Sequence, residues 1–147
     1  MYQHKQTGWT LIIPVGVAVL VLGYFSIQDP NWIALLVFVI LAVTLWLFSG
    51  LTVMVDEHAI QVRFGPGVIK KTIKLADIQS ARPVRNKWWY GWGIRSIPGG
   101  WLYNISGLDA VELVMRNGRI YRVGTDEPQS LSDFLKERLG RRGQRGV

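Results

Sequence analysis

The chain has 147 residues and no cysteine, and its 17 lysines and arginines outnumber 10 aspartates and glutamates for a formal charge of +7. Disulfide frameworks and thiolate metal sites are therefore excluded, and the length allows one small domain beside a membrane segment but not two. Lys5 and Asp29 are the only charged side chains before residue 51, so the basic excess, 16 cations against 9 acids, falls on the remainder.

Residues 1–8 are polar, and they are expected to be a short cytoplasmic N-terminus with His4 in a frayed stretch. Two uncharged apolar runs follow, Leu11–Ile27 and Trp32–Phe48, parted by Gln28-Asp29-Pro30-Asn31. As a helix each run measures roughly 26 Å, close to the hydrocarbon thickness of a bilayer. In lipid every backbone amide must be satisfied within its own segment, so such runs are helical. The expectation is a transmembrane helical hairpin over residues 9–50, with spans at about 10–27 and 32–50.

Lys5 and the amino terminus precede the hairpin, its turn lacks Lys and Arg, and a basic chain follows it. The positive-inside rule then places both termini in the cytoplasm. Trp9, Trp32 and Trp46 lie near the helix ends, where indole rings favour the headgroup level. No small-residue cleavage site precedes Gln28, which argues against a signal peptide. No Asp, Glu, Lys, Arg or His lies within either run, only hydroxyl-bearing residues such as Tyr24, Ser26 and Thr44, which argues for an anchor rather than a conduction path.

From Leu51 the pattern changes to alternation, which marks half-buried strands. Leu51–Val55 leads to the polar turn Asp56-Glu57-His58. Ala59–Phe64 alternates, Gly65-Pro66-Gly67 turns, and Val68–Leu75 alternates again. A strand is expected over Ile78–Val84, followed by the aromatic segment Lys87–Arg95 and a turn at Ser96–Gly100. In Ala110–Gly124 two strands flank Asn117-Gly118, the pair favoured in a type I′ hairpin, with Val111, Leu113 and Met115 inward and Glu112 and Arg116 outward. A final helix begins at Asp126, capped with Gln129 three residues on. It carries Leu131, Phe134, Leu135 and Leu139 as one stripe and ends at Gly140. Residues 141–147 are expected to be a basic disordered tail.

Six or seven strands and one amphipathic helix can close as two packed antiparallel sheets or a partly open barrel over residues 51–140. The runs Tyr90–Arg95, Gly100–Gly107, Val111–Leu113, Asn117–Arg119 and Gly124–Pro128 resemble the bacterial PH-like (pleckstrin-homology-like) domain proteins, many of which carry two N-terminal transmembrane helices. The resemblance covers roughly residues 50–140. It implies a mainly-β PH-like domain closed by a C-terminal helix, and it implies no catalytic residues.

Catalytic constellations are thin. His4 and His58 stand alone, no cluster has metal-ligand spacing, and the paired acids Asp56-Glu57 and Asp126-Glu127 fit a turn and a helix start. No cofactor and no catalytic or metal-binding residue is expected. The distinctive stretch is Arg82–Arg95, in which Arg82, Arg85, Lys87 and Arg95 interleave with Trp88, Trp89, Tyr90 and Trp92. Cations attract anionic headgroups and indole rings settle at the interface. Trp92 and Ile94 read as core, whereas Trp88 and Trp89 read as interface or partner contacts. The candidate lipid or partner surface is therefore Arg82, Arg85, Lys87, Trp88, Trp89 and Arg95. Aromatic-basic patches also stack on single-stranded nucleic acid, but no nucleic acid is expected for a membrane-anchored chain. The functional expectation is a non-enzymatic binding module at the cytoplasmic face of a bacterial inner membrane, contacting a protein partner or anionic headgroups. The alternative is a structural subunit assembled into a larger membrane complex through its hairpin.

Overall fold

The structure is a computed structural model that describes residues 1–145, with side chains as far as Arg141. Its elements in chain order are β1 (Tyr2–Thr7), α1 (Trp9–Gln28), α2 (Trp32–Leu47), β2 (Gly50–Val55), β3 (Ala59–Phe64), β4 (Ile69–Lys74), β5 (Ile78–Arg85), β6 (Gly93–Ile97), β7 (Gly100–Asn104), β8 (Asp109–Met115), β9 (Ile120–Gly124) and α3 (Pro128–Arg145). Two sheets form, one ordered β1-β2-β3-β4 and the other β5-β8-β9-β7-β6. All pairings are antiparallel except β7 with β9. The expected two-sheet architecture with a closing helix is present, with eight strands after the helix pair where six or seven were expected.

The main departure is at the N-terminus. Residues 2–7 are not a frayed tail but the edge strand β1, paired with β2 from Tyr2↔Val55 to Thr7↔Gly50. The ladder continues past the strands, since Gly8 N–H donates to the Ser49 carbonyl at 3.0 Å. The domain therefore comprises residues 2–7 together with 50–145, and both helices are an insertion between two neighbouring strands. Alternation in Tyr-Gln-His-Lys-Gln-Thr is short and carries no run of apolar residues, so its strand character was hidden.

The helix pair ends earlier than expected. Phe48 N–H bonds back to Thr44 and Gly65 N–H takes the Gly50 carbonyl, so residues 48–50 leave α2 to start the sheet. At 20 residues α1 is the only helix among those described that is long and apolar enough to cross a membrane; α2 has 16. Asn31 caps α2, its Oδ1 accepting from Ile33 N–H at 2.8 Å. Pro14 is the sixth residue of α1, past the first turn. Neither helix has a buried residue; Leu20 is 75% exposed and Trp32 73%.

The core lies between the sheets. Leu51, Val53 and Val55 of β2 and Ile60, Val62 and Phe64 of β3 face Val111, Leu113 and Met115 of β8, and Leu131 and Leu135 of α3 complete it. Burying a side chain of this size contributes about 1.5–3 kcal/mol, so this cluster is what holds the sheets together. Packing of α3 is chiefly on β5, and Phe134 meets Tyr2 at 5.5 Å between ring centroids.

Three local expectations are corrected. Asp126 does not cap α3: its carboxylate pairs with His4, Thr125 Oγ1 accepts from Glu127 N–H at 3.1 Å, and Pro128 opens the helix, where its missing N–H costs nothing. Gly140 does not end α3, which runs on to Arg145, so most of the expected tail 141–147 is helical; residues 146–147 lie outside the described residues. The β8–β9 turn is not type I′, because Asn117 lacks positive φ. Only Gly118 (φ +86°) is left-handed, and Gly118 N–H bonds to Met115 while Met115 N–H bonds to Arg119, a three-residue loop closed by a glycine bulge.

Candidate functional site

Three connections gather at the base of the helix pair. The β3–β4 turn touches it through Gly65 (φ +48°), where an added Cβ would sit 2.5 Å from the Leu47 carbonyl oxygen. The β7–β8 loop touches it through Ser106, whose hydroxyl lies 2.7 Å from that of Thr10. The third is the connection from β5 to β6, which holds the aromatic-basic segment. Trp92–Arg95, the helix residues Leu11 and Thr44, and Phe48 just past the end of α2 line one cleft.

The strand registers explain how the segment is held. Arg82 pairs with Glu112, Glu112 with Arg122, Arg122 with Leu102, and Leu102 with Arg95. These five residues form a row across the whole second sheet, on the face away from the core. Glu112 was expected to point to water, yet it is 1% exposed. Its Oε1 accepts from Arg82 Nε at 2.9 Å and its Oε2 from Arg122 Nε at 2.8 Å. Burial alone would raise its carboxyl, but the hydrogen bonds and charges of Arg82 and Arg122 outweigh it and hold Glu112 below its ordinary value of 4.5.

The β5–β6 connection folds back over this row. Asn86 is buried, its N–H bonds to the Leu108 carbonyl at 2.7 Å, and its Oδ1 accepts from Arg122 at 3.2 Å. Tyr90 stacks above Arg122 with 6.0 Å from guanidinium carbon to ring centroid. Trp92 Nε1 donates to the Gly107 carbonyl at 3.2 Å, and Asn104 Nδ2 reaches the same oxygen at 3.0 Å. Both ends of the loop are thereby pinned, and its middle, a 3-10 turn at Trp88–Tyr90, stands out. Trp88 is 73% and Trp89 60% exposed, and their rings meet edge to face at 5.9 Å. Lys87 Nζ lies 5.0 Å over the Trp89 ring.

The six candidate residues thus divide. Lys87, Trp88 and Trp89 form one exposed cluster, with Arg85 exposed beside it at the end of β5. Arg82 is engaged with Glu112, although its side chain remains 65% exposed. Arg95 bends back so that its Nε donates to the Trp92 carbonyl at 3.1 Å, which orders the turn into β6. Trp92 and Ile94 read as core residues, and the structure places both half-buried.

Reasoning from sequence missed Glu112, Arg122 and Asn86. The available signal was the near coincidence of an acid on one predicted strand with single arginines on its neighbours, which only the register makes adjacent. Among the described residues no group of three or more His, Asp or Glu side chains is arranged to hold a metal ion. Compared with known proteins, the chain matches no family's sequence model, no curated protein and no solved structure.

Proposed function

We propose that this chain is a membrane-anchored, PH-like binding module whose exposed Lys87-Trp88-Trp89 cluster, with Arg85, docks on anionic lipid headgroups at the cytoplasmic face of a bacterial inner membrane. The observation that carries the reading is the common placement of two features. The uncovered apolar helix pair leaves the domain at Gly8 and Ser49, and the aromatic-basic loop projects at that same end. Apolar surface as extensive as that of α1 and α2 has to be covered, and lipid covers it without a partner.

The strand pairing supports two crossings. Because β1 and β2 lie side by side, the chain must return to the point it left, so a crossing α1 requires α2 to cross back. Sixteen residues span about 24 Å, and local bilayer thinning with Trp32 and Trp46 at the interfaces accommodates the shortfall. With the domain held at the surface, each cation of the loop contributes about 1 kcal/mol toward anionic lipid, and the two indoles supply amphipathic anchors.

The test uses the full chain in nanodiscs with quencher-bearing lipids, read as tryptophan emission. Anionic discs are expected to quench more than neutral ones, and high salt should remove the difference. Arg85→Ala/Lys87→Ala retains every tryptophan and should also lose the difference. Equal quenching in neutral and anionic discs, unaltered by the double substitution, would sink headgroup docking.

A further inference from the structure

The outer strand β4 is the edge of the first sheet opposite β1, and the hydrogen-bond pattern tells which of its groups are free. Leu75 N–H donates to the His58 carbonyl at 2.8 Å, one step beyond the Ala59↔Lys74 pair. Antiparallel ladders alternate, so Ile73, Lys71 and Ile69 bond toward β3, while Lys70, Thr72 and Lys74 aim their N–H and C=O groups outward. None of these three has another backbone partner among the described residues.

Beside that edge the sheets do not close. Two adjoining clefts of about 390 and 350 Å³ separate β4 from the second sheet and meet at Lys71 and Tyr121. The floor of the larger is aromatic, with Trp101, Tyr103 and Tyr121; Trp101 is 46% exposed, and Tyr103 and Tyr121 stack at 6.3 Å. The rim is basic: Lys70, Lys71, Lys74, Arg116 and Arg119 line the pair of clefts against the single acid Asp77. Lys71 points inward, its Nζ 5.3 Å over the Tyr121 ring.

Lysines on an edge strand discourage pairing with a second copy, because β4 against β4 would set Lys70 opposite Lys74. They do not explain an open aromatic trough alongside. We infer that β4 receives an extended acidic segment of a partner protein as an added strand. Main-chain bonds would run to Lys70, Thr72 and Lys74, with acidic side chains across from Lys70 and Lys74 and alternate apolar side chains over Trp101 and Tyr103. Period-two side chains make that division automatic, since neighbours on the added strand face opposite sides of the sheet. At roughly 3.3 Å per residue, the six residues of β4 accommodate a segment of about five. This surface is separate from the Lys87–Trp89 loop and stands whether or not that loop docks on lipid.

The probe is the blocked pentapeptide Asp-Phe-Asp-Phe-Asp, added to the full chain in neutral nanodiscs and followed by anisotropy and by amide hydrogen exchange. Saturable binding is expected, with slowed exchange at Lys70, Thr72 and Lys74. Lys70→Glu/Lys74→Glu should weaken it about tenfold or more. Trp101→Ala should weaken it with the charges intact, and N-methylation of the peptide's central amide should abolish it without any change to the protein. No saturable binding below roughly 1 mM would overturn the inference, and so would equal binding by the charge-reversed chain. Protection of the same amides by anionic nanodiscs alone would assign the groove to headgroups and overturn it too. Protection that appears without peptide as protein concentration rises would assign it to a second copy, with the same consequence.

Discussion

At the residue scale the decisive group is Glu112, a carboxylate removed from water and matched by two guanidiniums. A buried charge without its partners is expensive, so the unequal exposure of the two arginines predicts unequal effects. Glu112→Ala leaves the mostly covered Arg122 without its counter-charge and should cost about 3 kcal/mol. Arg122 is mostly covered, and Arg122→Ala should come close to that figure, whereas Arg82 is largely solvated and Arg82→Ala should cost about 1 kcal/mol or less. Thermal unfolding of the full chain ranks the three, and equal losses for the two arginines would contradict the geometry. The same site carries a pH signature. Its folded-state carboxyl titrates below the ordinary 4.5, so its stabilisation is complete above that value and is lost as pH falls through the lower folded value. The unfolding midpoint should therefore drop at acid pH, and Glu112→Gln should flatten that limb.

At the element scale β1 has the largest consequence, because it ties three parts of the fold. It completes the first sheet, and its ladder with β2 holds both ends of the helix pair. It also clasps the start of α3: His4 pairs with Asp126, its Nδ1 lies 3.5 Å from Glu127, and the Tyr2 hydroxyl donates to Glu127 at 3.4 Å. Burial, with the Glu127 charge beside it, pushes the Tyr2 hydroxyl up to about 12 from an ordinary 10.0. A neutral tyrosine is thus favoured by the fold, and its contribution is lost as pH rises between those values. A fragment beginning at residue 51 lacks β1 and exposes β2 as a hydrophobic edge, so it is expected to aggregate. Replacing residues 9–48 by Asn-Gly keeps Gly8 and Ser49 as the closing pair of a two-residue hairpin. That variant should remain in solution as a cooperatively unfolding domain. Size-exclusion chromatography and a melting curve distinguish the two, and aggregation of both would show that the helices do more than connect β1 to β2.

At the scale of the whole molecule, the chain is a sandwich from which an apolar hairpin projects out of one strand-to-strand connection. The membrane reading predicts that α1 tolerates no charge at mid-span. Leu20→Asp should cost about 3 kcal/mol of insertion and shift the protein out of the membrane fraction, while Ala76→Asp on the domain's exposed corner should not. Reporters fused at either terminus should report the same side of the membrane, because the β1–β2 ladder brings the chain back to its starting point. Opposite sides would be incompatible with that ladder. The hairpin's base and the Trp88-Trp89 loop share one end of the domain, and the β4 groove runs away from that end from Phe64 and Ile69 toward Lys74 and Asn117. One molecule thus has room for a lipid contact and a protein contact at once.

What the sequence determined by itself is what local pattern encodes. Unbroken apolar runs gave two helices, alternation gave the strands from Leu51 to Leu75 and on either side of Asn117-Gly118, and the Leu131–Leu135 stripe gave α3. Each rests on side chains spaced at 3.6 or 2 residues, which a single segment reveals without its neighbours. Trp88 and Trp89 read as interface or partner contacts from their place beside Lys87 in an expected loop rather than from periodicity, and the fold leaves both exposed. The tertiary structure decided whatever depends on pairing between distant segments. Tyr2–Thr7 is a strand only because Gly50–Val55 offers an edge across the helix pair. Glu112 is buried only because the register aligns it with Arg82 and Arg122. The groove beside β4 exists only because two sheets of unequal width leave a side open, a matter of packing that no stretch of one strand records.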